Sequence, residues 1–143
     1  MKKILFAASE AVPFMKTGGL ADVTGSLPKY FDKKNYDVRV ILPKYVCMEE
    51  RWKGQLHFLC HFYVNLSWRK QYVGIFETTY DGITYYLVDN EFYFAGNAPY
   101  NNIYEDVEKF AFFSKAVLEA LPYLDFCPDI IHCHDWQTGL LPV

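Results

Sequence analysis

Apolar residues along this chain change their spacing from one stretch to the next, and the spacing predicts the elements. Lys3–Ser9, "KILFAAS", is apolar without alternation, the pattern of a strand covered on both faces in a parallel sheet. From Leu20 the apolar positions Leu20, Val23, Leu27 and Phe31 recur at helical intervals until Asp32-Lys33-Lys34-Asn35 closes the run. Pro28 lies inside this helix; it lacks an N–H and crowds the carbonyl of Thr24, so a kink is expected there. Asp37–Pro43 returns to a strand pattern, and Lys3–Pro43 therefore predicts a βαβ unit with a right-handed crossover.

The middle of the chain reads differently. "LHFLCHFYVNLSW", "KQYVGIFETTY" and "ITYYLVDN" are rich in β-branched and aromatic residues, and Asp81-Gly82 supplies a tight turn between two of them. These runs predict an insertion of antiparallel strands over about residues 55–90, between Leu56 and Asn90. "EFYFAGNAPYNNIY" is punctuated as a loop. Asn102 and Glu105 then have capping-box spacing, and Val107, Phe110, Phe113 or Ser114, Val117, Leu118 and Leu121 predict a helical stripe reaching Leu124. Ile130–His134 predicts a last buried strand, and Thr138 the start of a helix. The chain stops at Val143 on the apolar run Leu140-Leu141-Pro142-Val143, so a fragment of a larger domain is expected.

Composition narrows the functions. At 143 residues, with 52% hydrophobic and 22% charged, the chain is long enough to bury a core as one folded unit. A net charge of −3 supplies no broad positive field for nucleic acid or an anionic membrane. No run approaches the ~20 apolar residues of a spanning helix, and Glu10 interrupts the N-terminal apolar stretch before it could serve as a signal-peptide core. The four cysteines show no CxxC spacing, which makes a reducing, cytoplasmic setting the default expectation.

In open parallel sheets ligands bind beyond the carboxyl ends of the strands, where loops lead into helix N-termini. Ser9–Gly19 and Asp135–Gly139 both fall at such ends. In "KTGGLAD" the glycines Gly18 and Gly19 would let backbone approach a diphosphate while Lys16 adds a mobile cation. The competing reading is a flexible turn before a helix. Neither GxxxxGK[ST] nor GxGxxG occurs, and the second strand ends in Leu42-Pro43-Lys44 without a ribose-binding acid, which argues against a dehydrogenase.

"HCHDWQ" invites a zinc reading, but alternation along a strand sends His132 and His134 to one face and Cys133 to the other, so these neighbours cannot close one tetrahedral site. Asp135, just past the strand, reads either as an N-cap or as a polar participant in chemistry. Trp136 reads as core or as a platform for a sugar face. "NAPYNN" offers amides and a phenol to a hydroxyl-rich ligand, or is only a turn. No nucleophile elbow or HExxH supports a hydrolase.

Taken together, "MKKILFAASEAVPFMKTGGLADVTGSLPKYF", "DVRVILPKY", "GITYYLVDNEFYF" and "PDIIHCHDWQTGLLPV" resemble, in order, the N-terminal part of bacterial glycogen synthases and the related starch synthases. The resemblance implies an α/β, Rossmann-like parallel sheet with helices on both faces and the antiparallel insertion, forming part of a GT-B glycosyltransferase. Residues 1–143 would be an incomplete N-terminal catalytic domain, with the C-terminal nucleotide-binding domain absent. It further implies transfer of glucose, with retention, from ADP-glucose to the 4-hydroxyl at the non-reducing end of an α-1,4-glucan such as glycogen, without metal or cofactor. Lys16 would then contact the sugar nucleotide, with Gly18 and Gly19 at the diphosphate. Asp22, Tyr100 and Gln137 would line the sugar or acceptor side, and Asp135 would take part in catalysis; Gln137 stands where bacterial relatives often have histidine. The remaining active-site groups would lie beyond Val143, and the isolated chain is expected to be inactive. Alternatives are another GT-B sugar-nucleotide glycosyltransferase, a non-catalytic glucan- or nucleotide-binding module, or a structural zinc protein.

Overall fold

A computed structural model describes residues 1–143. Strands β1 (Lys2–Ala7), β2 (Tyr36–Pro43), β3 (His57–Leu66), β4 (Arg69–Tyr80), β5 (Ile83–Asp89) and β6 (Ile130–Cys133) form one six-stranded sheet in the order β3-β4-β5-β2-β1-β6. The β5–β2–β1–β6 part is parallel, whereas β3–β4 and β4–β5 are antiparallel. The strands expected between Leu56 and Asn90 thus extend the main sheet: β5 serves the parallel core and the hairpin at once. Asp81 and Gly82, at φ 51° and 78°, join β4 to β5, as the two left-handed positions of a tight hairpin turn require.

Apolar material covers both faces. On one side Leu5, Ala7, Ile41, Tyr86 and Val88 pack with Phe110, Phe112, Phe113 and Val117 of the helix spanning Ile103–Ala120. On the other, Ile4, Phe6, Val40, Leu42, Tyr85 and Leu87 pack with Ala11, Phe14 and Met48. Each such side chain taken fully out of water contributes roughly 1.5–3 kcal/mol.

Helix α1 covers Gly19–Ser26 and passes into a 3-10 turn at Leu27–Tyr30, the change of geometry expected around Pro28. The face it buries is not the apolar stripe: Ala21, Thr24, Gly25 and Pro28 are buried, while Val23 and Leu27 are exposed. Small residues win because α1 lies against the chain at Val12, whose N–H donates to the Ala21 carbonyl. A short helix, α2, occupies Glu50–Lys53.

Helix α3 (Ile103–Ala120) starts at Asn102, whose side chain accepts from the Glu105 N–H at 3.1 Å. Its stripe is rotated from the expected one. Val107 and Leu118 are exposed, and Asp106, Lys109, Phe112 and Ala116 take inward positions. Beyond β6, Trp136–Thr138 form a 3-10 turn that ends at Gly139 in place of a helix opening at Thr138. No helix is long and apolar enough to cross a membrane, and Cys47, Cys60, Cys127 and Cys133 are free thiols.

Candidate functional site

Because β1, β2, β5 and β6 run parallel, the segments that follow them share one rim. From β1 the chain steps to β2 on one side, and it later returns to place β6 on the other. The boundary between β1 and β6 is therefore a topological switch point, where open α/β sheets bind their ligands.

Glu10 organises the loop after β1. It is 1% exposed, and its Oε2 accepts from the Thr17 N–H at 3.1 Å and from the Thr17 hydroxyl at 2.5 Å. The Thr24 hydroxyl of α1 donates to the Glu10 carbonyl at 2.6 Å. Hydrogen bonds to an ionised acceptor are among the strong ones, and these tie the loop down from beneath. Lys16, Gly18 and Gly19 stay exposed on the outer side. Lys16 Nζ lies 2.9 Å from Asp22 Oδ2, both side chains being about half exposed, and a pair so placed is worth about 0–1 kcal/mol.

Neither glycine is demanded by the fold. Gly18 has φ −162°, extended backbone open to any residue, and a Cβ added to Gly18 or Gly19 meets nothing within 4 Å. The space above them is empty of protein.

Tyr100 reaches the same place from the loop after β5. Its hydroxyl is 2.6 Å from the Ser9 hydroxyl. Burial pushes its phenol up to about 12, and the negative fields of Glu10 and Asp135 act in the same direction, against the opposing Ser9 bond. Tyr100 is thus a neutral donor and acceptor at the switch point. From the segment after β2, buried Tyr45 donates to the Ser9 carbonyl at 2.6 Å; burial holds its phenol well above the usual value. The loop bearing Tyr100 is anchored by α3: Lys109 Nζ donates to the Pro99 carbonyl at 2.8 Å and to Asn101 Oδ1 at 2.9 Å, and Asp106 accepts from the Asn101 N–H at 3.1 Å.

After β6, the Thr138 hydroxyl accepts from the His134 N–H at 2.8 Å and donates to the His134 carbonyl at 2.9 Å. Asp135 caps the 3-10 turn by accepting from the Trp136 N–H at 2.7 Å. Its backbone sits at φ 64°, ψ −176°, a region almost confined to glycine and worth about 1–3 kcal/mol of strain, which collects at functional sites. Trp136 is about half exposed and meets Phe110 edge to face at 5.6 Å. Gln137 takes a different position from the other candidates: it is 6% exposed, its carbonyl accepts from Ser114 of α3 at 3.5 Å, and its Oε1 has no hydrogen-bond partner.

The two imidazoles of β6 share one face, ring centroids 4.5 Å apart, on the side of Phe6. Cys133 packs with the opposite core, as alternation dictates. No three His, Cys, Asp or Glu side chains gather as metal ligands. Burial and the neighbouring His132 lower the His134 imidazole to about 4.

Sequence reasoning passed over the supporting groups Glu10, Thr17, Tyr45, Asp106 and Lys109. One signal was available: an ionisable residue directly after a buried strand, and an Asp106/Lys109 pair at helical spacing with Phe110 and Phe113.

Sheet order, opposite-face helices and a rim at the switch point define an open α/β domain of the ligand-binding, doubly wound type. The chain belongs to the starch synthase catalytic domain family, whose model matches residues 3–143. It is 69% identical over 143 residues to a glycogen synthase of Lachnoclostridium phytofermentans and 64% identical to one of Lachnospira eligens, covering 100% of this chain and 30% of each relative. Among solved structures it is similar to the catalytic domain of starch synthase IV from Arabidopsis thaliana bound to ADP and acarbose, with TM-score 0.78 and 30% identity over 98% of this chain and 29% of that one. The chain therefore spans about 30% of the length of the curated relatives it matches.

Proposed function

We propose that this chain forms one wall of the cleft of a retaining glucosyltransferase that uses ADP-glucose to extend an α-1,4-glucan, as in glycogen synthesis. The observation that carries the reading is the unfilled space over Gly18 and Gly19 beside a weakly paired lysine, at the switch point. Support comes from the curated relatives, which are glycogen synthases, and from the similar solved structure, which holds ADP and acarbose.

Transfer breaks the bond between the anomeric carbon and the diphosphate, so negative charge grows on the leaving group and positive charge on the sugar. Lys16 would exchange its exposed partner Asp22 for the diphosphate, while the N–H groups at the start of α1 face the same charge. Preorganised donors aimed at developing charge are the largest single source of such catalysis. Asp135 would present its carboxylate to the sugar side, and Tyr100 would hydrogen-bond a hydroxyl of the glucose or acceptor through its neutral phenol. Asp22 would be released to the sugar side once Lys16 moves. Gln137 would act from behind, since its side chain is buried and its Oε1 is closed off from solvent. The facing wall would come from a second domain, and this chain alone would transfer no glucose.

In the intact protein, Lys16→Ala should reduce donor use about tenfold to a hundredfold, the loss of a charge-assisted contact of roughly 1.5–3 kcal/mol. Incorporation of labelled glucose into glycogen from ADP-glucose, with UDP-glucose as competitor, measures it. Unchanged donor dependence would remove Lys16 from the site, and preference for UDP-glucose would point to another glycosyltransferase of the same architecture.

A further inference from the structure

The sheet has two open edges, and they differ in kind. β6 is four residues long, whereas β3 runs for ten, His57–Leu66, and pairs with β4 on one side only. Its sequence, "HFLCHFYVNL", holds no Lys, Arg, Asp, Glu or Pro, the residues with which proteins usually blunt such an edge. Two guards stand towards its ends: the register shift between Phe58 and Cys60, and Lys115 of α3, which donates to the Asn65 carbonyl. Cys60–Val64, between them, has neither. Both faces beside this stretch are aromatic. On the α3 side Tyr123, 56% exposed, stacks on Phe62 at 4.8 Å. On the other, exposed His61 and Tyr63 each lie 5.9 Å from Tyr72, and Tyr63 is 54% exposed. A backbone edge flanked by bare rings is a surface that takes up another strand.

Symmetry and charge select the strand. About a two-fold axis perpendicular to the sheet, β3 runs antiparallel to its own copy, and residues opposite each other point to the same side. The alternation of the two faces then matches without adjustment. Lys70 and Lys115 stand at the Asn65 end of β3, and Glu77 lies opposite His57 at the other end. Antiparallel pairing sets the basic end of each strand beside the acidic end of its mate, an arrangement that parallel pairing would reverse. A two-fold contact also consumes the edge, so assembly through it closes at two copies. We infer that β3 is a dimer interface of the intact protein, pairing with β3 of a second copy about Phe62, so that His61 of each lies opposite Tyr63 of the other. The two six-stranded sheets become one. The β1/β6 rims lie at its far edges and stay open, roughly 50 Å apart at the usual strand spacing. The pairing rests on the edge itself and is independent of the reaction proposed above.

The test compares the intact protein with two double variants by sedimentation velocity over a concentration series, with circular dichroism to show that all three are folded. The parent should sediment as a dimer at micromolar concentration. His61→Lys/Tyr63→Lys sets like charges opposite each other across the axis and should weaken association at least about a hundredfold, while His61→Lys/Tyr63→Glu sets opposite charges there and stays within about tenfold of the parent. Hydrogen exchange at Cys60–Val64 should slow as the parent's concentration rises. A monomeric parent, equal association in the parent and the first variant, or equal loss of association in both variants would each overturn the pairing. Protection of Cys60–Val64 in a monomer at every concentration would also overturn it and give the edge to another segment of the same chain. A parent that dimerises through β3 but fails to use ADP-glucose would refute the proposed reaction and leave this interface standing.

Discussion

The loop after β1 and the loop after β5 meet at the bond between the hydroxyls of Ser9 and Tyr100, and each is secured from behind by a buried charge, but in opposite ways. Glu10, beneath the first, has neutral donors: the N–H and hydroxyl of Thr17. Lys109, beneath the second, is 4% exposed and sits beside Asp106, 5% exposed, with carbonyl acceptors on its remaining side. A carboxylate satisfied by its own loop positions that loop locally and leaves the outer surface free for a ligand. A buried ion pair ties a loop to a helix, and each partner depends on the other. The first loop is thus shaped to present Lys16, Gly18 and Gly19, and the second to hold one side chain, Tyr100, against α3.

The sharpest way to break this contrast is Lys109→Met, which leaves Asp106 buried without its cation. Removing one partner of a buried pair costs about 3–5 kcal/mol, and chemical denaturation should record a loss of that size. A loss below about 1 kcal/mol would show that Asp106 is satisfied by the Asn101 N–H alone.

Two glycines of the first segment separate packing from ligand approach. A Cβ on Gly25 would stand 2.3 Å from the Val12 side chain and 2.8 Å from its carbonyl oxygen, so Gly25→Ala should destabilise the domain by about 1–3 kcal/mol. Gly18→Ala meets open space and should leave the melting temperature unchanged while weakening ADP-glucose use. Equal thermal losses in both would mean that Gly18 serves the fold.

The smallest effect belongs to the third rim segment. His134 titrates near 4 in the folded chain against 6.5 unperturbed. Between those values the unfolded chain binds more protons, so His134 adds to stability above pH 6.5 and the contribution fades as pH falls towards 4. A melting-temperature series across that window should slope less steeply in His134→Phe than in the parent. Identical slopes would place the acid sensitivity elsewhere.

Periodicity located β1, β2, the Asp81-Gly82 turn and the Asn102 cap because each is a local property of a few neighbouring residues. It found β6 too but read it as buried, whereas β6 is an edge strand of the sheet with Ile130 46% exposed. It misjudged both helix faces. In α3, Asp106 and Lys109 read as solvent-facing residues until each is given the other and the loop at Pro99–Asn101. In α1, Val23 and Leu27 read as core, but the neighbour is the chain at Val12, which accepts only small residues such as Gly25. The register shift between Phe58 and Cys60 left no mark in the apolar pattern, since a bulge is set by pairing with β4.

The candidate site divides along the same line. Lys16, Gly18, Gly19 and Asp135 could be named from residue type and from their place after strands, because the carboxyl ends of parallel strands must share a rim. Their supports could not be named. Glu10 gains its role only when Thr17 folds back over it, Tyr100 only when α3 carries its loop to Ser9, and Asp135 its left-handed backbone only when the turn closes on Thr138. Spacing along one chain encodes which elements form and which ends they expose. Partners far apart in sequence are chosen by packing, and packing alone settles which charges are buried, which glycines face empty space and which side chains meet at the switch point.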